Sequence, residues 1–226
     1  MRVMILAAGR GERLRPLTDT IPKAMVSAGG KPLIAWHLER LAKAGFREAV
    51  INVSHLAERI VEALGDGERF GLRITYSRER EPLETAGGIA HARALLGEAP
   101  FLLVNADIYC EFDFSTLRQA SLAERLAHLV LVPNPRHRSG GDFTLEDGMI
   151  GDGAEPRYTY AGIAVMSPAM VAGVGVEQKA PLAPLLYAAA ARRQLSGELY
   201  RGVWQDVGTR ERLAELEAHL ASRQDP

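Results

Sequence analysis

Between Arg2 and Asp107 the chain alternates short β-branched or apolar runs with longer amphipathic stretches, and this alternation constrains the fold more than any other feature. A strand, an amphipathic helix and a further strand pack as a βαβ unit, and several in succession build a mainly parallel sheet with helices on its faces. The runs Val3–Ala7, Ala49–Val53, Arg73–Tyr76 and Phe101–Asn105 read as strands. Helices are expected over Pro32–Ala44, His55–Leu64 and Gly88–Leu96, with Pro32 in a first helical turn and Gly45 as a stop. Beyond Asp107 the order loosens. A helix over Ser115–Arg125 and a strand over Leu129–Val132 are expected, then a segment from Pro133 to Gly153, rich in Pro, Gly, Asp and Arg, that reads as a flexible loop or hairpin over the site with a short strand near Phe143. Strands over Tyr158–Met166 and Val203–Val207 and helices over Ala180–Arg193 and Glu211–Ala221 complete the chain. The expected class is α/β: a Rossmann-like, mixed but mainly parallel sheet flanked by helices, in one domain over residues 1–226.

The 226 residues carry 27 Lys+Arg against 28 Asp+Glu, a formal net charge of -1. Without a basic block there is no electrostatic footprint for nucleic acid or an anionic membrane, so any phosphate must be gripped locally. The apolar run Val3–Ala8 is too short for a signal-peptide core, and no stretch approaches the ~18 apolar residues of a spanning helix, so the expected location is cytoplasmic. The single Cys110 excludes an internal disulfide, and the six histidines lack zinc-ligand spacing. Trp36 and the closing helix suit either a core or a subunit contact, which leaves monomer and homo-oligomer both open, with core the default at helical spacing.

Directly after the first strand, the stretch Leu6–Thr18 contains Gly9, Gly11, Arg13 and Arg15, and Pro22-Lys23 follows. A glycine-rich turn at that place points backbone N–H groups at phosphate oxygens. It is not a dinucleotide fingerprint, whose third glycine would stand at Leu14, nor a P-loop, since Gly30-Lys31 is followed by Pro32. Arg13, Arg15 and Lys23 offer the charge neutralisation that a reacting triphosphate needs. The alternative is an ordinary βα turn with exposed basic side chains. Asp107 ends the apolar run Phe101–Asn105, and Asp206 follows Val203–Gln205. Ligands of open α/β sheets gather at the carboxyl ends of strands, and two carboxylates suffice for Mg²⁺, although each aspartate alone equally suits a cap. In Glu81–Gly88, small residues at a helix start would let a planar base lie against the backbone; in isolation the same stretch reads as a turn capped by Thr85.

Together these motifs resemble the sugar-1-phosphate nucleotidyltransferases. Leu6–Thr18 with Pro22-Lys23 matches their signature L-A-A-G-x-G-x-R-L-x-P-L-T and downstream P-K, and the likeness extends through Glu81–Gly88, Asp107, Tyr160–Ile163 and Trp204–Thr209. The resemblance implies the nucleotidyltransferase fold, with a nucleotide-binding part over roughly 1–110 and a sugar-binding part over roughly 111–226. It implies that Ala8, Gly9, Gly11 and Arg13 cradle the nucleotide phosphates and Lys23 the phosphate under attack. Glu81 and the backbone of Ala86 and Gly87 would meet the base, Asn105 would lie near the ribose, Asp107 and Asp206 would hold Mg²⁺, and Gly162 and Lys179 would serve the sugar and its phosphate. The family's Glu-Lys pair after the mid-chain strand has no match in Glu155-Pro156-Arg157.

Within the family, Glu81–Gly88, Pro133–Phe143 and Lys179–Leu186 are similar to the N-acetylmuramate 1-phosphate uridylyltransferases of cell-wall recycling, which implies UTP and N-acetylmuramate 1-phosphate as substrates. Arg136, His137 or Arg138 would then face the lactyl carboxylate. The alternatives are a mannose-1-phosphate guanylyltransferase and, from other classes, a non-catalytic sugar-nucleotide-binding module or an NAD-linked oxidoreductase. The module would be expected to lose Asp107, Asp206 or Lys23, all present; the oxidoreductase needs an acidic residue where Asn52 and Ser54 stand.

Overall fold

The computed structural model describes residues 1–153 and 156–223, which leaves Glu155 outside the described residues. The first half runs β1 (Val3–Leu6), α1 (Leu17–Thr20), a two-residue ladder of β2 (Ser27–Ala28) and β3 (Lys31–Pro32), α2 (Leu33–Lys43), β4 (Glu48–Val53), α3 (Ala57–Leu64), β5 (Arg73–Arg78), α4 (Glu84–His91), α5 (Arg93–Leu96) and β6 (Phe101–Asn105). The second half runs β7 (Ile108–Cys110), β8 (Ala127–Val132), β9 (Phe143–Glu146), β10 (Met149–Gly151), β11 (Arg157–Met166), α6 (Ala183–Ala191), β12 (Leu195–Leu199), β13 (Trp204–Asp206) and α7 (Arg210–Ala221).

Nine strands form one mixed sheet in the order β5-β4-β1-β6-β11-β8-β12-β10-β9. The first four are mutually parallel, as the βαβ reading expects. Val3, Met4 and Ile5 have no exposed surface, the mark of a strand covered on both faces. One apolar cluster packs α2 and α3 on one face, and another packs α4 and α6 on the other. α2 ends where Gly45 takes φ +88°; its N–H donates to the carbonyl of Ala42, and Phe46 N–H to that of Leu41, a Schellman closure.

β11 is antiparallel to both neighbours, β6 and β8. Its first residues pair with β9 instead, which closes β11, β8, β12, β10 and β9 into a circuit. The register of β11 against β8 shifts between Tyr160 and Ala164, and within that bulge Gly162 takes φ +75°. A third cluster joins Leu14, Leu33, Tyr109, Val207, Leu216 and Leu220, so α7 is core packing. Trp36 packs edge-on against Tyr109 with its Nε1 donating to Ala28.

Several expected elements differ. Ser115–Arg125 is not a helix: a 3-10 turn over Phe114–Leu117, capped by the Asp113 side chain, gives way to turns. Buried Phe114, Leu117 and Leu122 imitate a helical stripe, but Ala123 at φ +50° breaks helical continuation. The expected helix Gly88–Leu96 starts earlier, at Glu84, and splits at Ala92 into α4 and α5; Thr85 lies inside α4 and does not cap it. In the segment before β9 the Asn134 amide donates to the carbonyls of Ser139 and Arg157, and buried Asp142 accepts from the Arg138 guanidinium and from Tyr160 N–H. No helix of the described residues is long and apolar enough to cross a membrane.

Candidate active site

The chain moves outward from β1 through β4 to β5 and then returns to the other side of β1 as β6. The loops leaving β1 and β6 therefore diverge, and a crevice opens at the carboxyl ends of these strands. A cavity of about 880 Å³ occupies it, lined by the β1 loop, Lys23, Asn52, the turn before α4, Asn105, Asp107 and Lys179.

In the β1 loop the N–H groups of Gly9, Arg10 and Gly11 have no acceptor among the described residues, the arrangement that suits a phosphate oxygen. Gly11 sits at φ +66°, and a Cβ there would lie 2.9 Å from Thr18 Cγ2 and 3.0 Å from Lys23 Cβ. Its carbonyl accepts from Thr18 Oγ1 at 2.8 Å, so the threonine of the motif closes the loop from below. Gly9 has nothing within 4 Å of a notional Cβ; a side chain there would occupy the cavity. Ala8, Arg13 and Lys23 line the cavity as expected. Arg15 does not: its guanidinium pairs with Asp19 at 3.2 Å on the surface. Arg10, which the motif leaves unspecified, lines the cavity as the third cation of this stretch.

At the other wall, Glu81, Glu84 and Thr85 line the cavity. Ala86 and Gly87 do not present their N–H groups to it. Both donate to the carbonyl of Ala180, while Ala180 N–H donates to Leu83, so the segment before α6 is clamped onto the start of α4. The contact with a base expected from those two N–H groups is therefore corrected: the donors are consumed by packing. The same clamp holds Lys179 at the larger cavity, 3.8 Å from Glu84. Glu84 is a non-glycine residue at φ +60°, a conformation that costs about 1–2 kcal/mol for an L side chain.

Asn105 and Asp107 also line a second, smaller pocket of about 190 Å³ with Tyr160, Gly162, His137, Arg138, Trp204 and Asp206. Gly162 is a glycine because a Cβ there would stand 2.7 Å from Asn105 Nδ2. Asp107 and Asp206 are brought together by the short antiparallel ladder of β7 and β13: Asp206 is opposite Ile108, and Val207 N–H donates to the Asp107 carbonyl. Sequence distance hides this juxtaposition, and β7 is too short to announce itself. Asp107 is ion-paired with Lys23, and Asp206 with Arg212. His137 Nε2 lies 3.0 Å from Asp206 Oδ1 but without hydrogen-bonding geometry, its lone pair being directed to Arg212 Nη1 at 2.9 Å; Oδ1 remains a buried acceptor with no partner among the described residues. Burial pushes the Tyr160 hydroxyl well above its ordinary range, so it stays protonated. Beneath β7, buried His37 lies against the Ile108 carbonyl at 2.7 Å, and desolvation lowers its pKa to about 4.

Two carboxylates, one just before β7 and one at the end of its neighbour β13 with an unpartnered oxygen, suit a hard cation that needs only one or two protein ligands. Among the described residues no group of three or more His, Cys, Asp or Glu side chains forms a closed metal cage. Arg10 and Asn52 are lining residues that motif reading did not single out, whereas His137 and Trp204 lie in segments it named. Arg10 lies inside the motif and Asn52 at a strand's carboxyl end, signals that point to the cavity.

Comparison with known proteins agrees with this arrangement. A family model described as nucleotidyl transferase matches residues 2–143. The chain is 48% identical over 229 residues to an N-acetylmuramate alpha-1-phosphate uridylyltransferase of Neisseria meningitidis serogroup B, covering 96% of this chain and 97% of that protein. It is 32% identical to a mannose-1-phosphate guanylyltransferase catalytic subunit beta of Danio rerio, covering 92% of this chain and 61% of that one. Its fold matches a UDP-glucose pyrophosphorylase solved with UDP-glucose, with a TM-score of 0.80 over 99% of both chains at 20% identity. A glycine loop after β1, a paired Lys23 and Asp107, and a matched family model over more than half the chain lead to one assignment: this protein belongs to the nucleotidyltransferase family.

Proposed function

We propose that this nucleotidyltransferase joins UTP to N-acetylmuramate 1-phosphate, giving UDP-N-acetylmuramate and pyrophosphate. The observation that carries the reaction type is the pair of adjoining compartments that share Asn105 and Asp107: the larger contains the phosphate loop with Arg13 and Lys23, and the smaller contains Gly162 and Asp206. The choice of UTP and N-acetylmuramate is supported by the 48% identity to the Neisseria protein over nearly the whole of both chains.

In this reading a phosphate oxygen of the sugar 1-phosphate attacks the α-phosphorus of the nucleotide in line, a P–O bond forms, and the bond to pyrophosphate breaks. No protein nucleophile is needed, because the attacking phosphate is already anionic. The chain contributes position and charge: the β1 loop N–H groups and Arg13 hold the phosphates, and Lys23 neutralises the phosphate under attack. Glu81 lies at the base end, Asn105 near the ribose, and Lys179, which lines the larger cavity beside Glu84, would serve the sugar phosphate. Asp107 and Asp206 would hold Mg²⁺, which supplies additional charge neutralisation when bound. The lactyl carboxylate would meet His137 and Arg138, which line the smaller pocket; Arg136 lines neither compartment. Residues 1–110 then serve mainly the nucleotide and 111–226 mainly the sugar, in one cytoplasmic domain working in cell-wall recycling.

The test is pyrophosphate release with Mg²⁺ across UTP, GTP, dTTP and CTP against the 1-phosphates of N-acetylmuramate, N-acetylglucosamine, glucose and mannose. Dominance of UTP with N-acetylmuramate 1-phosphate is the expected result. A dominant signal for GTP with mannose 1-phosphate would keep the mechanism and replace the substrates, and silence throughout would point to a binding module.

A further inference from the structure

Behind the wall that joins the phosphate loop to the start of α4 lies a group of polar atoms with no part in the chemistry above. Asn52, near the carboxyl end of β4, and Glu79, just past β5, are 3% and 5% exposed. Asn52 Nδ2 donates to Glu79 Oε1 at 2.7 Å. The far side of each side chain grips a different element. Asn52 Oδ1 accepts from Ala7 N–H at 2.8 Å, where β1 turns into the phosphate loop. Glu79 Oε2 accepts from Leu83 N–H at 2.9 Å, one residue before α4. The order Ala7, Asn52, Glu79, Leu83 is thus a continuous relay of hydrogen bonds between the two walls of the nucleotide cavity, and Asn52 itself lines that cavity.

Burying a carboxylate is costly unless it is fully bonded, and two apolar side chains would join the same elements with less desolvation. What the polar pair adds is direction, since each bond fixes one backbone N–H relative to the next. Gly88 shows how closely the pair is enclosed: a Cβ there would lie 2.7 Å from Glu79 Oε1 and 2.8 Å from Asn52 Nδ2. We propose that Asn52 and Glu79 are a positioning pair that sets the spacing between the phosphate loop and the base end, so that nucleotide binding depends on them and sugar-phosphate binding does not. The inference deepens the proposed reaction and rests on its placement of the nucleotide in the larger cavity.

The polarity of the relay supplies the test. Asn52→Asp puts a carboxylate oxygen against Glu79 Oε1, and Glu79→Gln turns an amide N–H₂ toward one of two donors; each single change leaves a bond unmade. The double variant Asn52→Asp/Glu79→Gln restores every pairing with the direction of the central bond reversed. The introduced glutamine amide donates to the introduced aspartate, the aspartate's other oxygen still accepts from Ala7 N–H, and the glutamine carbonyl still accepts from Leu83 N–H. Each single variant is expected to raise the KM for the nucleotide about tenfold, with the KM for the sugar 1-phosphate unchanged, and the double variant to return near wild type. Gly88→Ala, which favours the helix but pushes on the pair, should produce the same nucleotide-selective rise and covers the case in which a single variant fails to fold. Titration calorimetry with UTP reads the relay apart from turnover. A wild type that binds UTP without turnover would tell against the reaction; unchanged UTP affinity in the single variants, no recovery in the double, or equal change in both KM values would overturn the relay.

Discussion

The larger cavity and the smaller pocket handle charge differently. Around the larger one, Arg10 and Arg13 face the space beside backbone donors that have no protein acceptor among the described residues, and Glu81 and Glu84 stand at the α4 end. Around the smaller one, charges come with protein counter-charges: Arg138 with Asp142, and Asp206 with Arg212. Lys23 and Asp107, paired with each other, stand where the two compartments meet. The first arrangement suits a polyanion, whose phosphates supply the missing acceptors. The second suits a sugar with at most one charged substituent in the pocket, which needs fixed polar walls more than net charge. The difference also predicts how substitutions act: truncating Arg10 or Arg13 in the larger cavity should remove a contact with substrate alone, whereas truncating Arg138 in the smaller pocket also strands its partner Asp142.

The largest effects should come at the boundary. Lys23→Ala and Asp107→Asn are each expected to lower kcat by about 10²–10³, the range for removing one preorganised group at a developing charge. If pyrophosphate release in either variant stays within about threefold of wild type, the junction of the compartments is not where the phosphorus reacts.

A second prediction concerns the support beneath that junction. His37 folds with its pKa lowered from 6.5 to about 4 by burial. The unfolded chain takes up the proton first, so the contribution is fully present above pH 6.5 and is lost as pH falls from 6.5 towards 4. The shift corresponds to about 3 kcal/mol across that window. Urea unfolding as a function of pH should show the decline, and His37→Gln should flatten it; a His37→Gln curve of wild-type slope would exclude this histidine as its source.

Next in size is Gly11→Ala. The positive φ and the close approach of Thr18 and Lys23 put the cost at about 1–2 kcal/mol, with loss of nucleotide affinity because the same change moves Lys23. Thermal unfolding and nucleotide titration together check it: loss of stability with intact affinity would detach the loop's conformation from its function.

The two compartments were also unequally legible. The parallel half announced itself because β1, β4 and β6 are buried on both faces and read as mostly apolar runs, and because α2 has a clear apolar stripe with Gly45 at its end. The smaller pocket depends on features with weak sequence signals. β12 reads Leu-Ser-Gly-Glu-Leu, without a β-branched residue, and keeps Gly197 because a side chain there would strike Ile150. β7 and β13 are three residues each, yet they alone bring Asp107 to Asp206. The backbone donors of Ala86 and Gly87 looked open because their acceptor, Ala180, is distant in sequence. Local pattern reveals elements that bury two faces; it does not reveal contacts made by short ladders and clamps.

The smallest effect is the sharpest test of the contrast between compartments. Arg136 and Arg138 are two residues apart in the same segment, but only Arg138 lines the smaller pocket, where Asp142 holds it. Asp142 in turn accepts from Tyr160 N–H at 2.8 Å, which ties the segment to the bulged strand beside Gly162. If the pocket recognises a sugar carboxylate through a cation held in place by this carboxylate, Arg138→Ala should raise the KM for N-acetylmuramate 1-phosphate by about threefold to tenfold, the scale of one part-exposed charged hydrogen bond. The KM for UTP should stay put, and Arg136→Ala should change neither. A glucose 1-phosphate control separates the carboxylate from the scaffold: loss confined to the muramate substrate assigns Arg138 to its carboxylate, whereas equal loss for both sugars would mean that the ion pair with Asp142 only shapes the wall.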